Sequence, residues 1–169
     1  MGFFEFRLPV KCPVATAFAV FTDTDAWQRS TEITKVEWLG KPWQEGSRMR
    51  IKEYGNIRDT IDQVLLHYEP PRCVAYMTHF FGITLETRLT FHAVSEYEAE
   101  VQTRGEFLGL ASRAFGFALG PAIERATRLT TEGLIKECER VAAIQAQSAH
   151  ASESRADGSS AGTKSGSQA

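Results

Sequence analysis

Four histidines, His67, His79, His92 and His150, are the first side chains to weigh for acid–base or metal chemistry. His92 falls on the polar side of an alternating run, and His150 sits in a Ser- and Ala-rich stretch. His79 is out of phase with Val74, Tyr76, Thr78 and Phe80, which predicts an outward ring, and His67 stands at a strand end beside Pro70-Pro71. No histidine has a carboxylate or cysteine at metal-ligand spacing, so no metal and no cofactor are expected. Cys12, Cys73 and Cys138 are odd in number and far apart, the pattern of reduced thiols packed as small apolar residues.

Hydroxyls and carboxylates are more informative. Tyr76 and Thr78 share a side with Val74 and Phe80, which points a phenol and a hydroxyl inward. A tyrosine there can donate to a ligand carbonyl, or act as an acid if its pKa is shifted. Asp59 and Gln63 share parity with Ile57, Ile61 and Leu65. On an inner face they would be buried polar groups in need of partners. A bulge would swap the faces and make them surface residues, and that is the expectation for both. Arg48 and Arg50 flank Met49 and should face solvent. Tyr76, Asp59 and Arg50 are the candidates for proton transfer or charge stabilisation. Nucleophile elbows, phosphate loops and dinucleotide fingerprints are absent.

The elements that position these residues follow from periodicity. Phe4, Phe6, Leu8, Val10 and Cys12 alternate with polar residues as one strand, and Pro13 opens a short helix to about Phe21. Asp23 or Asp25 caps a second short helical turn through Trp27. Strands follow around Val36–Trp38, from Ser47 to Tyr54, and from about Ile57 to Tyr68, where Pro70-Pro71 forces a turn. Three clear alternations come next: Val74 to Phe80, Ile83 to Ala93, and Ala99 to Phe107. Short turns make these antiparallel neighbours, apolar on one side and wet on the other. After Gly109, Phe115, Leu119, Ile123, Ala126, Leu134, Cys138 and Val141 recur at helical spacing. Gly120-Pro121 inside that pattern predicts a bent or two-part helix from about Leu110 to Ala146. From Ser148 to Ala169 no large apolar residue appears, so a folded domain over 1–147 and a disordered tail over 148–169 are expected.

Composition sets the class. The chain has 169 residues, 43% hydrophobic and 24% charged, which suits one globular domain. A formal charge of -2 gives no electrostatic case for nucleic acid. The N-terminus alternates and carries Glu5, unlike a signal peptide; Phe6 stands where a myristoylation signal needs Ser or Thr. No apolar run approaches the roughly 18 residues that span a bilayer. A cytoplasmic protein without stable membrane insertion is therefore expected.

This is an α+β chain of order β-α-α-β6-α, with about seven strands sharing one apolar face. One amphipathic helix, about 10 Å wide, is too narrow to cover so broad a sheet if the sheet is flat. A strongly curved sheet gripping the helix solves this, and such a grip leaves room for a ligand. The residues expected to line it are Phe6, Leu8, Met49, Ile51, Ile61, Tyr76, Thr78, Phe80, Leu85, Leu89, Phe91 and Val101 from the sheet. Phe115, Leu119 and Ile123 complete the set from the helix, with Phe115 and Phe117 placed to line or gate it.

Several segments carry a family resemblance. Val10-Lys11-Cys12-Pro13, followed by Ala17-Phe18 and Phe21-Thr22-Asp23, resembles the opening strand, turn and helix of the START-like (SRPBCC) superfamily. That superfamily includes the polyketide cyclase/dehydrase and lipid-transport proteins and the birch-pollen allergen. Trp27, the run Gly46-Ser47-Arg48-Met49-Arg50 and the turn His67-Tyr68-Glu69-Pro70-Pro71-Arg72 are similar to further pieces of the pattern, in the same order, over about Phe3 to Ala146. The resemblance implies a helix-grip fold around a hydrophobic cavity that binds a lipid-like or polyketide-like molecule for transport, sequestration or processing. It also implies two alternatives. One is a cyclase, aromatase or dehydratase working in the same cavity without metal or nucleotide cofactor, where an arginine such as Arg50 can hold an oxyanion. The other is a protein-interaction module like the related chaperone-ATPase activators.

Overall fold

The computed structural model describes residues 2–53, 60–80 and 82–159, without the side chains of residues 111, 113, 115 and 149–159. The element order is β1 (Phe3–Val10), α1 (Val14–Phe21), α2 (Thr24–Ser30), β2 (Ile33–Leu39), β3 (Arg48–Glu53), β4 (Thr60–Glu69), β5 (Cys73–Phe80), β6 (Ile83–Ala93), β7 (Ala99–Leu108) and α3 (Leu110–Ser159). All seven strands form one curved antiparallel sheet in the order β1-β7-β6-β5-β4-β3-β2. The N-terminal strand thus closes onto the last one, with Phe6 opposite Thr103 and Leu8 opposite Val101.

Alternation decides which face is inside. On β7, Ala99, Val101, Thr103, Gly105 and Phe107 are all buried, while the residues between them are half-buried or exposed. β6 buries Ile83, Leu85, Leu89 and Phe91 on the same side; Ala93, at its far end, is exposed. Each fully buried aromatic or branched side chain contributes about 1.5–3 kcal/mol of transfer free energy. Gly82 and Gly109, at φ 75° and 85°, turn the chain where a side chain would be strained. The first joins β5 to β6 and the second delivers β7 into α3.

The main core lies under α1 and α2. Phe18 and Phe21 pack edge-on against Phe91 at ring distances of 5.2 and 5.3 Å. Asp23 caps α2 through the amide of Asp25 at 2.9 Å, which sets Trp27 to donate to the Phe21 carbonyl, also at 2.9 Å. The three cysteines are free and buried, and the Cys138 thiol donates to Cys12. That bond pushes the Cys138 pKa up and draws that of Cys12 down.

α3 differs from expectation in two ways. It is a single helix of 50 residues that passes through Pro121, not two pieces. The carbonyl that Pro121 leaves without a donor belongs to Phe117, in a turn where Phe117, Ala118 and Leu119 are exposed to water. The helix also runs to Ser159, past the expected boundary of the tail. The segment after Ser148 has no large apolar residue, but its Ala, Glu and Arg favour helix. Residues 160–169 of the expected tail lie outside the described residues. Among the described residues no helix is long and apolar enough to cross a membrane.

Candidate functional site

The inner face of the sheet and α3 enclose a cavity of about 490 Å3. This is within the range of small-molecule sites. Its floor comes from successive rungs of the ladder. Leu65, Tyr76 and Thr87 stand on one rung, and Met49, Gln63, Thr78 and Leu85 on the next. Ile51 and Ile61 form a third. Phe21 and Trp27 close one end, while Ile123, Thr127, Thr130, Thr131 and Leu134 form the roof. The threonines recur at three- and four-residue steps, which places them on one helix face.

Tyr76 is 4% exposed, and its ring meets Trp27 edge-on at 6.0 Å. Two buried hydroxyls lack a hydrogen-bond partner among the described residues, those of Tyr76 and Thr103, and only Tyr76 lines the cavity. Burial drives the Tyr76 pKa well above its ordinary value, and the neighbouring Tyr68 adds to the shift. The residue remains a neutral phenol, able to donate.

Glu53 ends β3 opposite Ile33 and contributes to the cavity wall. Its carboxyl is raised from the ordinary range, first by burial and then by the charge of Glu32. No salt bridge or hydrogen bond reaches its carboxylate from the described residues. Tyr76 and Glu53 mark opposite ends of the cavity. Tyr76 pairs with Leu65, whose amide bonds the carbonyl of Ser47 just before β3. From Ser47 to Glu53 is six residues, about 20 Å along a strand.

Of the residues expected to line the site, Ile51, Ile61, Tyr76, Thr78, Phe80, Leu85, Leu89 and Ile123 do so. Phe6, Leu8, Met49, Phe91 and Val101 do not, because other side chains already cover them. Phe91 lies beneath Phe18 and Phe21, Met49 and Val101 are fully enclosed, and Phe6 lies 4.3 Å beneath the Arg128 guanidinium. Leu8 packs half-buried against the Phe4 and Phe6 cluster. Leu119 is 44% exposed, on the outer side of α3. Phe117 is exposed and borders a separate groove of about 250 Å3 beside Phe3 and Phe4. The Phe115 side chain and Asp59 lie outside the described residues.

Arg50 points away from the cavity and pairs with Asp62 at 3.0 Å on the outer face. Even-numbered positions of β3 are the exposed ones, which removes Arg50 from the candidates for charge stabilisation inside the cavity. Gln63, expected at the surface, lines the cavity; the bulge in β4 comes after Leu65 and leaves the parity of Ile61, Gln63 and Leu65 intact. His79 is exposed as expected but sits at the cavity rim, with Nδ1 3.2 Å from the Thr84 hydroxyl. His67 and His92 are on the surface, against Glu45 and Gln102. Sequence reasoning missed Glu53 and the α3 threonines. The signal for Glu53 was its parity, since it continues the buried series Met49, Ile51.

A curved sheet closed by one long helix over an amphipathic cavity defines a helix-grip protein. The family model described as polyketide cyclase / dehydrase and lipid transport matches residues 4–141, and the chain belongs to that family. Among solved structures, the Zhui aromatase/cyclase from Streptomyces sp. R1128 is similar with a TM-score of 0.67 at 16% identity, over 82% of this chain and 93% of that one. Norcoclaurine synthase from Thalictrum flavum, solved with dopamine and hydroxybenzaldehyde, aligns at a TM-score of 0.63 and 9% identity, over 79% of this chain and 84% of that one. The di-domain ARO/CYC BexL from the BE-7585A biosynthetic pathway gives 0.68 at 15% identity, over 80% of this chain and 46% of its own. At these identities the likeness is one of fold. No curated protein matches the chain.

Proposed function

We propose that this protein holds a small, largely apolar molecule, lipid-like or polyketide-like, in the cavity between the sheet and α3. The observation that carries this reading is the cavity of about 490 Å3 lined by Ile51, Ile61, Leu85 and Leu89, with the unpartnered phenol of Tyr76 at one end. A buried donor without an acceptor costs roughly 1–3 kcal/mol. A ligand oxygen within reach would supply what the fold does not. An interaction module has no use for such a space, so the reading as a chaperone-ATPase activator is set aside.

A second reading is chemistry on the bound molecule, cyclisation or dehydration of a polyketide-like chain. The aromatase/cyclases among the structural neighbours favour it. Within the cavity, Tyr76 would donate to a developing oxyanion. The buried, free cysteines support a cytoplasmic setting for either role.

Native mass spectrometry of freshly purified protein, followed by solvent extraction, tests the binding reading. A co-purifying apolar molecule is expected. Finding none, together with no uptake from a panel of fatty acids, sterols and aromatic polyketides, would refute both readings. If ligand is bound, Tyr76→Phe separates them: a carrier keeps its ligand, and an enzyme loses turnover.

A further inference from the structure

The charges around the cavity are one-sided. Among the described lining residues there is no lysine or arginine, and Glu53 is the one carboxylate. It stands among Ile33, Ile51 and Ile61, half out of water, with Glu32 close enough to oppose its charge. A carboxylate in such a place needs donors, and the described residues supply none. Thr60, across the β3–β4 pair, and the Thr127 and Thr130 hydroxyls on α3 line the same space without neutralising it. At the far end, the Tyr76 phenol is a second polar group that the fold leaves unsatisfied. Both ends therefore lack a partner that a ligand would bring.

We propose that Glu53 receives a hydrogen-bond donor from the ligand, so that the cavity selects neutral, hydroxyl-bearing aromatic molecules and rejects carboxylates such as fatty acids. The inference rests on the binding reading above and narrows it. A phenol or alcohol donating to Glu53 makes a charge-assisted bond, stronger than one between neutral groups. An anionic head in the same place meets the Glu53 charge in a partly desolvated wall with no cation to offset it, which is repulsion built against the wrong ligand. A bare hydrocarbon gains its burial but leaves the carboxylate unpartnered.

Three probes of nearly one shape separate these cases: 2-naphthol, 2-methoxynaphthalene and 2-naphthoate. Trp27 lines the cavity, so binding is followed by its fluorescence at neutral pH, with Trp27→Phe as the control for signal origin. The wild-type protein is expected to bind 2-naphthol about tenfold more tightly than 2-methoxynaphthalene, and 2-naphthoate most weakly. In Glu53→Gln, whose fold is checked by circular dichroism, the naphthol advantage should shrink to about twofold and naphthoate should gain about tenfold. Equal affinities for all three in the wild type, or a ranking that Glu53→Gln leaves unchanged, would overturn the assignment of Glu53 and leave the binding reading standing. Failure of all three probes to bind would overturn the binding reading, and this inference with it.

Discussion

At Tyr76 the fold carries a hydroxyl shut away from water with no acceptor in reach. Replacing it with phenylalanine keeps the ring against Trp27 and deletes the unsatisfied group. Tyr76→Phe is therefore expected to stabilise the protein by up to about 1 kcal/mol, read as a higher thermal midpoint at pH 7. A lower midpoint would show that the hydroxyl has a partner. The pH dependence has a definite sign. Because the folded pKa is raised, its contribution is intact below the unfolded value of about 10 and is lost as pH climbs above it. Tyr76→Phe should flatten that alkaline decline in stability. The inward placement of Tyr76 and Thr78 was legible from alternation alone. Glu53 was not, although it shares the parity of Met49 and Ile51. A charge on an apolar stripe reads as a strand end until the structure shows what faces it.

Between elements, α3 approaches α2 so closely that only glycine fits. A Cβ on Gly133 would collide with the backbone carbonyl of Ser30, which has no rotamer by which to escape. Gly133→Ala sets a helix-propensity gain of about 1 kcal/mol against overpacking of about 1–3 kcal/mol. The expected outcome is a lower urea midpoint with an unchanged slope; a raised midpoint would mean that the two helices part at little cost. Nearby, Glu137 is 6% exposed and accepts from Arg140 at 2.6 and 2.7 Å and from Arg29 at 3.2 Å. The Arg140 hydrogen bond leads in holding its carboxyl below the ordinary range. Its stabilising effect is thus present above the unfolded value of about 4.3 and disappears as pH falls through the lower folded one. Glu137→Gln should cost stability at pH 7 and much less near pH 3; equal losses at both would exclude an ionic origin. The strands β5 to β7 could be read from sequence because each keeps strict alternation on one buried face. Contacts such as Gly133 with Ser30 bring together residues about a hundred positions apart, and local periodicity says nothing of them.

For the molecule as a whole, the width of one helix against seven strands is the controlling quantity. α1 and α2 fill one end with Phe18, Phe21 and Trp27, and α3 roofs the rest with threonines where a packed core would use leucines. The curved sheet and the existence of a cavity therefore followed from strand count and helix width. Which inward residues stay uncovered did not, because that depends on where the short helices land. If the space is kept open for a ligand, filling it should exchange binding for stability. Thr127 lines the cavity on a half-buried turn of α3, and Thr127→Phe puts a ring into part of the 490 Å3. The expected variant is folded, more stable by about 1 kcal/mol from added apolar contact, and unable to quench Trp27 with 2-naphthol. A variant that binds the probe as before would mean that 2-naphthol sits elsewhere on the protein. One that loses stability along with binding would mean that the threonine face is needed for the fold, and that the cavity is a by-product of packing.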